Sequence, residues 1–308
     1  MAVIEKNNFI EKKWLVYRES WFQLIRPLTF TGTLSPAIAG AALAKTFSPF
    51  RYDLFLAVLI VGLFVQSAVN MLNDYYDYQK GQDQEKWVVS EKISYMSNPP
   101  YHSVPLVAFT LFILAIIISI WVSIESHVAW ILAIGGLGIL SGYKYSAGKY
   151  SLSSLGLAEV IAFIFLGLFP TFVGYVVQSH AIDFLITALA LPYAFVIMTM
   201  LLTNNIRDIQ KDENIRRTLA MRLGRNRAAH LLTIILAIAY LSVFSLIYFR
   251  IIPLTAFFTI IALPAACKLR WLLRKNATRQ DEMKSMKWAA IHHWIFGMTL
   301  ALSLWFFA

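Results

Sequence analysis

Apolar residues run through this chain in nine blocks, each near the ~20 residues that an α-helix needs to cross a bilayer. They fall at approximately 22–44, 54–78, 103–123, 127–147, 155–178, 182–206, 229–249, 251–271 and 287–307. The pattern predicts an all-α membrane protein with nine transmembrane helices. Pro36, Pro170, Pro192 and Pro264 lie inside the blocks; a membrane bundle tolerates them because neighbouring helices re-satisfy the freed backbone groups. Composition agrees with this class, since 58% of residues are hydrophobic, 14% are charged and mean hydropathy is +0.62. Soluble domains are far more polar.

Charge then orients the bundle. Of the 27 Lys and Arg, three (Lys45, Arg51 and Arg250) fall in the loops of one side, and the other 24 belong to the amino-tail side. The positive-inside rule places the amino terminus in the cytoplasm and, with an odd number of spans, the carboxyl terminus outside. The expected location is the plasma membrane, as a multi-pass protein. The net charge of +10 is thereby explained by topology and contact with anionic lipid, and nucleic acid is not an expected partner. Residues 1–20 start polar, with no charged n-region, short apolar stretch and cleavage site, and are expected to be a retained cytoplasmic tail. The rest is one membrane domain within 1–308. Cys267 has no partner for a disulfide or a C-x-x-C metal site.

Two polar interruptions carry candidate chemistry. At the end of the second block Asn70, Asn73, Asp74 and Asp77 fall within an arc of roughly 100° on one helical face. Carboxylates in a spanning helix are costly and usually face the bundle interior or an aqueous cavity. Hard oxygen ligands of this kind suit magnesium, which bridges one or two carboxylates to substrate phosphates. A solvated helix end is the plainer alternative, but two acids and two amides on one stripe exceed what solvation requires. Gly81 is expected to release the helix so that Lys80 and Asp83 bend back to the same site.

The sixth block ends in Thr203-Asn204-Asn205-Ile206-Arg207-Asp208, with Lys211-Asp212 following. Asn204, Asp208 and Asp212 are spaced i, i+4, i+8, so the two acids can chelate a second cation. Arg207 and Lys211 flank them and suit the oxygens of a diphosphate, arginine with a bidentate fork. One Asp-x-x-x-Asp alone would default to helix-surface ion pairing. Two such helix ends on the same predicted side point instead to two metals gripping one highly anionic group.

At these residues the chain resembles the UbiA superfamily of intramembrane prenyltransferases, from the first block to the ninth. Asn73-Asp74-Tyr75-Tyr76-Asp77 matches its Asn-Asp-x-x-Asp motif, and Asp208 to Asp212 its Asp-x-x-x-Asp motif. Finer features resemble the menaquinone branch, which prenylates 1,4-dihydroxy-2-naphthoate: Asn204-Asn205-Ile206-Arg207-Asp208, Arg217-Thr218-Leu219-Ala220, Arg26-Pro27, Tyr145 to Lys149, and Leu155-Gly156 to Glu159. Two departures stand out. Gly81 occupies the position where many members carry a third acid, and Ala147-Gly148-Lys149-Tyr150 replaces a Gly-Gly-Pro-type run.

The resemblance implies a central cavity opening near the cytoplasmic side, Mg2+ as cofactor, a polyprenyl diphosphate donor and an aromatic acceptor, with the isoprenoid tail among membrane lipids. Asp74, Asp77, Asp208 and Asp212 are the expected metal ligands. Lys149 and Arg207 are expected to stabilise the departing diphosphate, and the Tyr145 face the allylic cation. Asn70, Asn73, Lys80, Asp83, Asn204, Asn205, Lys211 and Arg26 are expected around the substrate. Glu159 is placed either at the acceptor or in an ion pair with Lys144 or Lys149. His292 and His293 are expected to be packing or interfacial residues. The implied product is demethylmenaquinone; other aromatic or lipid acceptors remain open, and a secondary transporter is the rival from another class.

Overall fold

The computed structural model describes residues 15–89, 97–148, 151–179, 183–213 and 216–308. It is helical almost throughout: α1 (Thr31–Ala44), α2 (Tyr52–Gln79), α3 (Ser103–Glu125), α4 (Trp130–Ser146), α5 (Ala158–Ser179), α6 (Phe184–Arg207), α7 (Arg225–Tyr248), α8 (Leu254–Leu272) and α9 (Arg279–Phe307). Among the described residues seven helices, α2, α3 and α5 to α9, are long and apolar enough to cross a membrane. The expectation of nine spans is therefore met by seven. The other two blocks fold as α1, with 14 residues, and α4, with 17. In the first block the chain turns before it becomes a long helix. Arg26 takes a left-handed φ of 55° and Pro27–Thr29 make one 3-10 turn, so α1 begins only at Thr31.

Lipid is the solvent for the outer surface. Leu106, Ile113, Ile117 and Ile124 stand exposed along α3, a stripe that a water-soluble helix would bury. The prolines are absorbed locally. Pro170 follows a π-helical stretch, Phe163–Leu168, within α5, the kind of widened turn that accommodates a residue breaking the i→i−4 ladder. Pro264 opens the α-helical part of α8 after a 3-10 run from Leu254 to Ala262, where a missing N–H costs nothing.

Inside the bundle α1 packs on α5 and α9, α2 on α3, and α6 on α7. The α1–α5 contact is backbone on backbone: a Cβ at Gly40 would strike the carbonyl of Thr171, and one at Gly174 the carbonyl of Ala37. Small residues permit this approach, which supplies dispersion contact where lipid removes the hydrophobic drive between helices. Outside the bundle, strands β1 (Leu15–Tyr17) and β2 (Trp87–Val89) pair antiparallel, with Tyr17 opposite Trp87. That small sheet seats the amino-terminal segment over the end of α2.

Gly174→Val should lower stability by about 1–3 kcal/mol, because the backbone it meets cannot step aside. Thermal unfolding in detergent measures this. Gly135→Ala, where a Cβ meets nothing within 4 Å, should leave the midpoint unchanged or slightly raised.

Candidate active site

One cavity of about 1030 Å³ runs through the bundle. Along α2 its wall extends from Val58 to Asp77, about 28 Å at 1.5 Å per residue. Most of that length is apolar, faced by residues such as Val65, Ile120, Ile139 and Phe165. One end is polar, and both acidic segments line it: Asn73, Asp77 and Asp83 from the first, Asn204, Asp208 and Asp212 from the second.

The end of α2 is set by backbone chemistry. Gly81 adopts φ +82°, its N–H reaches the carbonyl of Tyr78 at 3.0 Å, and the N–H of Gln82 reaches that of Asp77 at 2.8 Å. This Schellman pattern stops the helix and folds the chain back beneath Asp77. Gln82 and Asp83 consequently turn into the cavity. Lys80 does not; its ammonium donates to the Ser146 carbonyl at 2.6 Å and to Ser151 at 3.0 Å.

The second segment keeps helical periodicity through a break. α6 ends at Arg207, Asp208 sits at φ −99° and ψ 9°, and a single turn, Ile209–Asp212, follows. The N–H of Asp208 still bonds the Asn204 carbonyl at 3.0 Å, and that of Asp212 the Asp208 carbonyl at 2.9 Å. The i, i+4, i+8 face therefore survives, with all three side chains on the cavity.

Each acid of the two motifs, and Asp83 beside them, has a polar partner. Asp77 pairs with Arg216, Asp83 with Lys211 and Lys86, and Asp208 with Arg207 at 2.5 Å. Asp212 accepts from Gln82 at 2.7 Å. Asp74, fully buried, is held by Arg26 at 2.6 Å, Lys86 at 2.7 Å and the Tyr17 hydroxyl at 3.2 Å. It stands at the edge of the α2 arc nearest the amino-terminal segment, and it does not line the cavity. Burial lowers the Lys86 and Lys211 affinities for a proton and raises that of Asp212. For Arg216 burial opposes the charge, but Asp77 and Asp212 outweigh it and hold the guanidinium charged.

The other residues expected at the substrate divide. Arg26, Asn70, Tyr145, Arg207 and Lys211 line the cavity. Asn70 also donates to the Ile25 carbonyl at 2.8 Å, pinning the turn before α1. Asn205 and Glu159 lie off the cavity, bound to one another at 2.7 Å; Glu159 makes no ion pair among the described residues. Lys149 lies outside the described residues. His292 bonds Tyr240 and His293 bonds Thr31, both deep in the bundle, as packing residues would. Sequence reasoning missed Gln82, Lys86 and Arg216. Arg216 lay one helical turn beyond Asp212, a signal that continues the same face, whereas Gln82 and Lys86 sit in a loop without periodicity.

Among the described residues no three Asp, Glu, His or Cys cluster as a self-sufficient metal site. The donor set nonetheless fits magnesium, because it is all oxygen and spread over two facing segments. Such an ion is completed by substrate phosphates and water. The bases now on those carboxylates would be the ones released to the phosphates.

Gly81→Ala should cost about 1–2 kcal/mol through the left-handed φ alone, since a Cβ there meets nothing within 4 Å. A lower thermal midpoint together with weaker binding of magnesium pyrophosphate is the expected outcome.

Residues 33–306 match the model of the UbiA prenyltransferase family. The chain is 27% identical over 284 residues to the 1,4-dihydroxy-2-naphthoate octaprenyltransferase of Bacillus subtilis, covering 92% of this chain and 91% of that protein. To the enzyme of the same name from Escherichia coli it is 27% identical over 307 residues, covering 93% and 96%. A solved structure, a UbiA homologue from Archaeoglobus fulgidus bound to GPP and Mg2+, shares the fold with a TM-score of 0.57 at 13% identity, covering 92% of this chain and 99% of that one. The chain thus belongs to the UbiA prenyltransferase family, and it is a prenyltransferase.

Proposed function

We propose that this protein transfers a polyprenyl chain from polyprenyl diphosphate to 1,4-dihydroxy-2-naphthoate, with magnesium, to give demethylmenaquinol, the hydroquinone form of demethylmenaquinone. The observation that carries the reading is the shape of the cavity: an oxygen-rich, base-lined mouth opens into a long apolar body. A diphosphate fits the first and an isoprenoid chain the second, each buried CH₂ favouring hydrocarbon by about 0.8 kcal/mol. The choice of acceptor is supported by relatives named for that naphthoate. In the same reading α1 and α4 complete a nine-helix membrane bundle, with the mouth and the amino terminus at the cytoplasmic face of the plasma membrane.

Asp77, Asp208 and Asp212 would hold the metal, and Asp74 would join them once Arg26 and Lys86 turn to the diphosphate. Bound there, magnesium would supply charge neutralisation for the leaving group. The chain's own cations, Arg207, Lys211 and Arg216, share that task in a site of low dielectric. As the allylic C–O bond breaks, the face of Tyr145 stabilises the cation that remains. The electron-rich acceptor ring attacks it, and the acceptor's carboxylate leaves as carbon dioxide. A transporter reading is weaker, because the acids stand at helix ends and each is held by a base or an amide rather than free near mid-membrane.

Purified protein with magnesium, a panel of polyprenyl diphosphates and several aromatic acceptors, with products identified by mass, tests the assignment. Prenylation of 4-hydroxybenzoate without prenylation of the naphthoate would overturn the acceptor and keep the reaction class. Asp208→Asn and Asp212→Asn should each cut turnover at least about 100-fold. Thermal midpoints should hold, because neither substitution breaks an ion pair between separate helices.

A further inference from the structure

We propose that Gln82 is a positioning residue of the diphosphate site: its amide bridges Asp212 and Arg216 across the mouth and so sets where the second motif's carboxylate stands. This rests on the reading of that mouth as a magnesium and diphosphate site. Gln82 is 3% exposed, lies on the cavity wall and is placed by the helix stop at Gly81. Its Nε2 donates to Asp212 Oδ1 at 2.7 Å, and its Oε1 accepts from Arg216 Nη2 at 2.6 Å. Arg216 itself pairs with Asp77, so a chain of contacts runs from the first motif through Arg216 and Gln82 to the second.

The chemistry of the amide fits this role. Its two ends are a donor and an acceptor, so one side chain satisfies a carboxylate and a guanidinium at once, and a flipped amide would satisfy neither. The amide is also neutral. A lysine at this position would spend Asp212's charge in an ion pair, whereas Gln82 orients the carboxylate and leaves its full charge for a cation. Partners of this kind behind metal-binding side chains commonly control metal affinity by 10–100-fold.

The test is calorimetric binding of inorganic pyrophosphate with magnesium to the purified full-length protein, alongside steady-state kinetics. Gln82→Met keeps the volume and removes both bonds. It should weaken magnesium-dependent pyrophosphate binding about 10–100-fold and raise KM for the donor, with KM for the acceptor and the ligand-free thermal midpoint little changed. Gln82→Glu keeps the acceptor for Arg216, loses the donor to Asp212 and should show the same loss of affinity, which guards against a folding defect in the first variant. With Asp212→Asn already present, Gln82→Met should add little further loss. Unchanged pyrophosphate affinity in both Gln82 variants, against a wild type that binds, would overturn the proposal alone. A wild type that binds no magnesium pyrophosphate would overturn the functional reading and this inference with it.

Discussion

Carboxylates at the end of an apolar cavity need counter-charge or hydrogen-bond donors, because removing an ion from water costs several kcal/mol even after the protein relaxes. Asp74, Asp77 and Asp83 find theirs in Arg26, Lys86, Lys211 and Arg216, residues spread over most of the chain. Satisfying each acid therefore pulls a different segment to the mouth. The same pairs that draw these segments together assemble the candidate site and keep a stock of cations at the mouth of the cavity.

The apolar body of the cavity depends on a second constraint. Helices in lipid gain little from burying hydrocarbon against one another, so they associate where backbones approach closely. Gly40 and Gly174 provide that contact between α1 and α5. Their tight packing fixes one wall and leaves the volume between α2, α4, α5 and α6 open. The packing is close where these two helices touch and open along the cavity beside them.

Much of the architecture was legible from residue order alone. Hydrophobic block length located the helices, since a bilayer imposes one length scale on all of them, and the spacing of Asn204, Asp208 and Asp212 placed three side chains on one face even though the helix breaks at Asp208. Gly81 was readable as a helix stop. Block length was a weaker guide where local rules compete. The first block holds enough apolar residues for a span, yet the left-handed Arg26 and the turn at Pro27 shorten α1 to 14 residues.

The sequence by itself determined the class, the helical segments and the two oxygen-rich ends, because hydrophobicity and helical periodicity act over a few residues. Only the tertiary structure decided which acid faces the cavity and which is sealed behind Tyr17, Arg26 and Lys86. It alone showed Asn205 turning to Glu159, Lys80 turning to Ser146, and Gln82 reaching Asp212. Those choices depend on desolvation and on partners up to 139 residues apart, and a charge's best partner is set by which segments the packed helices bring within hydrogen-bond reach.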